Sequence, residues 1–287
     1  MIFHLGPLGD LQELPIIERD VEPTASSDAP GAEFVSLKGA RSRDRIGPHR
    51  ASWELEWKYL TVDEYDVLDA LRRGHMGGPL WVVDPNVPNL ANAQIATGGT
   101  EERSVRGWST VSGARRWLRP ATRQADVRER GAVEWTKATA QDELATGRER
   151  EEYRVPTPPD GGPMVVGARM LRSDAPAGVL VQPGVDLWTP AGSRSTSVLA
   201  AGRTVTGVWT DVVFRIASTA GFASLAPMWR AGAYSAGFYV AAVRVAWGTE
   251  LPRPSRGGGS AVVTFPSLTR ANPSEGEFSF SATLNEA

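Results

Sequence analysis

Glu54 and Glu56 stand two residues apart in Arg50-Ala-Ser-Trp-Glu-Leu-Glu-Trp-Lys-Tyr-Leu60, a spacing that puts both carboxylates on one face of a strand. Two carboxyl groups about 5 to 9 Å apart across a cleft can serve as acid and base, or acid and nucleophile, on a glycosidic bond. Nothing around this pair supplies a cleft, so same-face neighbours on an exposed sheet are the stronger reading. Trp53, Trp57 and Tyr59 on the opposite face have the chemistry of a sugar-stacking platform, but their strict alternation beside an amphipathic helix favours core. His4, His49 and His75 lie in glycine- or proline-flanked segments with no second ligand at metal spacing, which leaves them as solvated histidines. No serine occupies a Gly-x-Ser-x-Gly elbow and no glycine run has the phosphate-loop form with its lysine. Gly257-Gly-Gly259 has no following helix and reads as a hinge. The expectation is no catalytic residue, no cofactor, no metal and no enzyme activity.

Tryptophans give the best ligand chemistry. Trp108, Trp117, Trp135, Trp188 and Trp229 alternate less cleanly, and Trp188-Thr-Pro-Ala-Gly192 and Trp229-Arg-Ala-Gly-Ala-Tyr234 read as loop or strand-end positions. Packed core is the weightier reading for each. Rings at a sheet rim would stack on sugars, which makes Trp188, Trp229 and Tyr234 the candidate glycan contacts. Arg115, Arg116, Arg119, Arg123, Arg128 and Arg130 have the chemistry to hold an anionic wall polymer or phosphate. Together with Gly147-Arg-Glu-Arg-Glu-Glu152 they form a stretch of mixed sign, which favours a solvated surface.

The elements that would position these residues are clearest between Arg50 and Pro85. Apolar Trp53, Leu55, Trp57 and Tyr59 alternate with Ser52, Glu54, Glu56 and Lys58, the period of a half-buried strand. Thr61-Val-Asp-Glu64 has capping-box spacing, so a helix starts there. Val62, Tyr65, Leu68 and Leu71 line one side, and Gly74 supplies the stop. Pro79-Leu-Trp-Val-Val83 is apolar on both faces, as a central strand is, and Asp84-Pro85 ends it.

The 287 residues suffice for two domains. With 30 glycines, 21 prolines, 10 tryptophans and 22% charged residues, the composition is that of a turn-rich, mainly β protein. Lysine and arginine total 31 against 33 acidic residues, so no global field draws the chain to nucleic acid or an anionic membrane. The absence of cysteine excludes disulfides and thiolate chemistry and is compatible with assembly in a reducing cytoplasm. The first residues lack a basic, long-apolar leader pattern, and no run reaches the roughly eighteen apolar residues of a membrane span.

Residues 1 to 32 read as an extended arm with one apolar patch at Leu14-Pro-Ile-Ile17, and Phe34-Val-Ser-Leu37 as a strand. From Asn89 the texture changes to short strands: Tyr153–Val155, Met164–Met170, Val179–Val181, Val208–Ile216 and Gly237–Trp247, spaced as in a sandwich or jelly roll. Pro252-Arg-Pro-Ser-Arg-Gly-Gly-Gly-Ser260 reads as a linker, stiff at one end and loose at the other. Beyond it, Ala261–Phe265 and Glu277–Glu286 read as a hairpin, with Phe278, Phe280, Ala282 and Leu284 on one face. Two strands alone are not stable and must join a sheet. The expected organisation is 1–90 with 258–287 as one discontinuous domain, and 91–257 as an inserted jelly roll.

Arg50, Trp53 and Trp57 on a strand, a short helix, the glycine pair before Pro-Leu-Trp-Val-Val-Asp-Pro85, Asn89-Leu90, and a late strand ending Thr-Leu-Asn-Glu286 form an order that resembles distal or minor tail proteins of long-tailed actinobacteriophages. The resemblance covers about the first ninety and last thirty residues. It implies a tail-tube-like β-sandwich or barrel with one short helix in a homo-oligomeric ring, hexameric by preference over trimeric. Its implied partners are the tail tube, tape measure and tail hub or baseplate proteins. The implied location is the virion tail tip, after assembly in the bacterial cytoplasm. The middle domain is similar to galectin-like or carbohydrate-binding-module-like jelly rolls, implying contact with a host-surface glycan. Two further readings are a carbohydrate-binding or receptor-binding accessory outside any ring and, weakest, a glycoside hydrolase.

Overall fold

The computed structural model describes residues 2–14, 24–28, 31–35, 41–45, 50–98, 104–111, 113–118, 131–136, 142–172, 178–231, 237–274 and 277–287. Its elements in chain order are β1 (His4–Gly6), β2 (Gln12–Glu13), β3 (Thr24–Asp28), β4 (Gly31–Val35), β5 (Arg41–Arg45), β6 (Arg50–Leu60), α1 (Val62–Arg72) and β7 (Leu80–Val83). Next come α2 (Ala93–Ala96), β8 (Trp108–Thr110), β9 (Ala114–Leu118), β10 (Ala132–Thr136), β11 (Asp142–Thr146), β12 (Val155–Pro156) and β13 (Met164–Arg172). The remainder are β14 (Val179–Trp188), β15 (Arg194–Leu199), β16 (Arg203–Val205), β17 (Thr210–Ile216), β18 (Ser224–Ala231), β19 (Gly237–Trp247), β20 (Ser260–Ser274) and β21 (Glu277–Glu286). The protein is mainly β. It forms two compact units: Ile2–Pro7 with Gln12–Val82 and Ala261–Ala287, and Leu8–Leu11 with Val83–Ser260.

The smaller unit is a seven-stranded sheet in the order β2-β1-β7-β20-β21-β6-β3, with β4 and β5 pairing separately. Alternation on β6 works as its sequence dictates. Trp53, Leu55 and Trp57 are buried, while Glu54 and Glu56 are exposed. β21 lies antiparallel to β6 with Leu284 opposite Trp53, Ala282 opposite Leu55 and Phe280 opposite Trp57, so three apolar rows coincide. Phe280 meets the Trp57 and Tyr65 rings edge-on at 5.6 and 6.2 Å.

α1 opens with the capping box its sequence encodes: the Glu64 amide donates to Thr61 Oγ1 at 3.3 Å and the Thr61 amide to Glu64 Oε2 at 2.9 Å. Gly74 takes the left-handed φ of +69° that ends it. Leu68 and Leu71 are fully buried, whereas Val62 is 52% exposed, because the first turn precedes the packed stripe. Leu68→Ala leaves a cavity beneath α1 and should cost about 2 to 5 kcal/mol. An unchanged urea midpoint would contradict that packing.

The larger unit stacks two sheets, β17-β13-β19-β10-β9 and β15-β14-β18-β11-β8, with β12 also pairing β18 and β16 pairing β14. Trp135 on β10 spans the gap, donating from Nε1 to Oδ2 of fully buried Asp142 on β11 at 2.8 Å. On β19, Ala242 has a φ of +50° where the pairing with β13 slips between Gly167 and Arg169. Nearby Arg244, 5% exposed, donates from Nε to the Ala242 carbonyl and from Nη2 to Asp211 on β17.

The glycine run at Gly257–Gly259 is not a hinge. Gly258 and Gly259 donate to the Ala91 and Asn89 carbonyls at 2.7 and 3.0 Å, Asp84 donates to the Gly259 carbonyl at 2.8 Å, and the Ser260 hydroxyl to the Leu90 carbonyl at 2.7 Å. A Cβ at Gly257 would run into the Ala91 oxygen and one at Gly259 into the Val87 oxygen. Glycine is required here for close backbone approach rather than for looseness. Asn89, fully buried, ties the entering segment to β19 through its amide to Val243 O and its oxygen from Val245 N, both at 3.0 Å. Segments entering and leaving the larger unit are thus hydrogen-bonded to each other.

Candidate functional site

β11 and β12 both pair with β18, yet they are joined by a detour. Ala145 lies opposite Met228 and Val155 opposite Leu225, so nine residues on one side answer two on the other. Gly147–Arg154 holds the excess, a strap that includes a 3-10 turn at Glu151–Tyr153. Gly147 enters it with a φ of +62°, and the Tyr153 ring sits where a side chain on Gly107 would be. β18 tolerates Pro227 at this point. Pro227 O accepts from the Thr146 hydroxyl at 3.4 Å, which places the hydrogen-bonding edge of this residue on the side where β11 gives way to the strap. A missing N–H costs nothing in a ladder already interrupted.

The strap is fastened to β14 by two arginines. Arg148 Nε donates to Asp186 Oδ2 at 2.7 Å and its Nη2 to Glu143 Oε2 at 2.9 Å. Arg230, opposite Glu143 in register, donates to Glu143 Oε1 at 3.0 and 2.6 Å. Fully buried Asp186 also accepts from Arg194 Nη2 at 2.6 Å and from the Ser197 hydroxyl at 2.5 Å. Burial pushes the Glu143 carboxyl up, but hydrogen bonds from Arg230 and Arg148 outweigh it and hold the group below its ordinary range. Burial lowers Arg148 likewise, and Asp186 followed by Glu143 reverses it, leaving the guanidinium above its ordinary value. Arg154, the second fastening, is lowered by burial, with the Glu151 and Glu152 charges opposing. Its guanidinium carbon lies 4.3 Å from the Trp188 ring centroid and its Nε donates to the Gly147 carbonyl at 3.1 Å.

Trp188 and Trp229, which the sequence offers as glycan contacts, are 2% and 0% exposed. Trp229 points into the sandwich, stacked on Trp108 at 6.2 Å, because its row is shared with Leu144 and Pro183. It presents no ring to solvent. Trp188 points to the opposite face of the sheet, with Asp186 two residues before it, and is covered by Arg154. Tyr234 lies outside the described residues.

Glu54 and Glu56 sit on the exposed face of β6 opposite Thr283 and Ser281. His75 is exposed and His4 half-buried, while His49 lies outside the described residues. Among the described residues no group of three or more histidines, aspartates and glutamates could hold a metal ion. Most of the 115–130 arginine stretch lies outside the described residues. The 147–152 charge run is not merely solvated, since Arg148 is drawn down to the buried carboxylate of Asp186. The isolated Asp186 inside an apolar strand was the available signal for this network, but its partners come from two other elements, the strap and β15.

No protein-family model matches the chain, and no curated protein matches it. Among solved structures it is similar to the CBM22-1 xylan-binding domain of Paenibacillus barcinonensis Xyn10C, at 12% identity over 51% of this chain and 89% of that one, with a TM-score of 0.40. It is similar also to TmCBM61 in complex with β-1,4-galactotriose, at 17% identity over 53% of this chain and 96% of that one, TM-score 0.37. A third is the enzymatically active domain of bacteriophage CBA120 tailspike protein 4, at 7% identity over 57% of this chain and 22% of that one, TM-score 0.41. The larger unit is a jelly-roll-like β-sandwich. That description rests on its sheet order and strand pairing.

Proposed function

We propose that this chain is a structural subunit of a long-tailed bacteriophage tail tip, of the distal-tail or minor-tail type. The smaller unit assembles into a homo-oligomeric ring that joins the tail tube to the tail-tip or baseplate proteins. The inserted sandwich contacts host-surface glycans, and the protein acts without catalysis. The observation that carries this reading is the pairing of β21 with β6, which builds one sheet from both ends of the chain and leaves residues 83–260 as an insertion. An insertion of this kind lets an assembly unit carry a separate recognition unit without interrupting its own sheet. Of the residues that carry the tail-protein resemblance, Arg50–Val82 and Thr283–Glu286 fall on the assembly unit, and Val83–Leu90 opens the insertion.

A second reading, a monomeric carbohydrate-binding or receptor-binding accessory, is favoured by the fact that Val83–Ser260 has its own two-sheet core. Size-exclusion chromatography with light scattering separates the two. A ring subunit elutes at six or three times the 30.9 kDa chain mass, and a monomer across the micromolar range would overturn the ring reading.

A further inference from the structure

Ser224 on β18 lies directly opposite Trp188 on β14, so its side chain shares the sheet face on which Arg154 covers Trp188. It is 1% exposed and its hydroxyl oxygen has no hydrogen-bond partner. A hydroxyl that can donate once and accept twice is costly to bury unpaired, and in native proteins such a group calls for an explanation. Beside it lies an indole ring whose face is occupied by a planar guanidinium, and two residues before that indole, on the same face of β14, the Asp186 carboxylate is buried and bonded by Arg148 and Arg194. An aromatic plate, an unpaired hydroxyl and flanking guanidiniums and carboxylate are what a pyranose ring needs: a flat surface for its C–H face and polar groups at its edge.

The geometry points to a saccharide subsite at Trp188 and Ser224, closed in this structure by Arg154, whose guanidinium occupies the position of the sugar ring. This rests on the glycan-contacting reading of the sandwich given above. The strap is built to open there. Arg148 is anchored by two carboxylates, whereas Arg154 has only the indole, one carbonyl and a 3.6 Å ion pair to Glu151, 42% exposed. When Arg154 swings out, Trp188 and the Ser224 hydroxyl are uncovered while Arg148 keeps the strap attached. The ligand is a neutral polysaccharide. Arg148, Arg194 and Arg230 on this face are already engaged by Asp186 and Glu143, so once Arg154 swings out none of them is free to hold a carboxylated or phosphorylated polymer.

Affinity electrophoresis of the full chain through gels containing xylan, β-1,4-galactan or hydroxyethylcellulose, with polygalacturonate as the anionic polymer, tests this. Arg154→Ala removes the competitor for the ring and should tighten binding to at least one neutral polymer about fivefold to tenfold, the worth of one cation–π contact. Ser224→Ala should weaken binding while leaving the melting temperature unchanged or raised, since it deletes an unpaired hydroxyl, and Trp188→Ala in the Arg154→Ala background should abolish it. Wild-type binding that none of these variants alters would overturn the subsite and leave the glycan-contacting reading standing. Absence of binding to every neutral polymer by both wild type and Arg154→Ala would overturn both, and the ring assembly is read separately by its mass. Stronger retardation by polygalacturonate than by the neutral polymers would overturn the assignment of ligand class.

Discussion

A chain ending at Gly258 will fail to fold its smaller unit and will aggregate, whereas a chain in which Asp84 is joined to Gly259 by a short glycine-serine bridge will remain soluble. The first change removes β20 and β21 from the middle of the order β2-β1-β7-β20-β21-β6-β3. Two fragments of sheet are left, each with an open edge, and the core loses Ala261, Val263, Phe280, Ala282 and Leu284. The second change removes only the inserted unit. Its ends already meet, with the Asp84 amide 2.8 Å from the Gly259 oxygen, so a bridge of about four residues closes the gap at little entropic cost. Soluble expression and circular dichroism distinguish the two proteins. A truncated chain that folds normally beside an excised one that does not would mean that the smaller unit depends on residues 85–258.

Asp186→Ala will be the most damaging single substitution in the larger unit, by about 3 to 5 kcal/mol, because it leaves Arg148 without its deepest partner and Arg194 without its carboxylate, with only the Ser197 hydroxyl to bond. Asp186→Asn, which keeps an acceptor, should cost less. The same network makes the unit acid-sensitive. The folded-state pKa of Glu143 is depressed, so its contribution is present in full above the ordinary carboxylate range and is lost as pH falls through the depressed value. Urea denaturation followed by tryptophan fluorescence should show a midpoint that falls with acidification, and less steeply in Glu143→Gln. Asp186→Ala with wild-type stability would show that the strap is not held by this carboxylate.

The parts of the fold that depend on near neighbours were readable in the chain. β6, α1 and β7 follow from alternation, a capping box and an apolar run, and the Phe280-Ala282-Leu284 face of β21 from the same period of two. β18 was not readable. It is buried on both faces and interrupted by Pro227, which its position at the β11–β12 changeover allows and no local signal announces. β1, β2 and β3 are short and lie in a stretch rich in turn residues, so they read as an arm. The glycine run at 257–259 has the composition of a hinge, and only the carbonyls of Val87 and Ala91 some 170 residues earlier decide that it is a close-packed crossing. The candidate site was half legible. Trp188 was singled out for its position at a strand end. The charge run covering it looked solvated, because the carboxylate that draws Arg148 inward lies 38 residues away.

Ring assembly by the smaller unit is tested most directly by electron microscopy of a phage particle carrying this chain, with a gold-labelled antibody against the sandwich. Label is expected at the tail tip, around a ring where the tube ends, with ring-shaped particles of the purified chain in negative stain. Label scattered along the tail or absent from the particle, together with monomers in the purified sample, would contradict it.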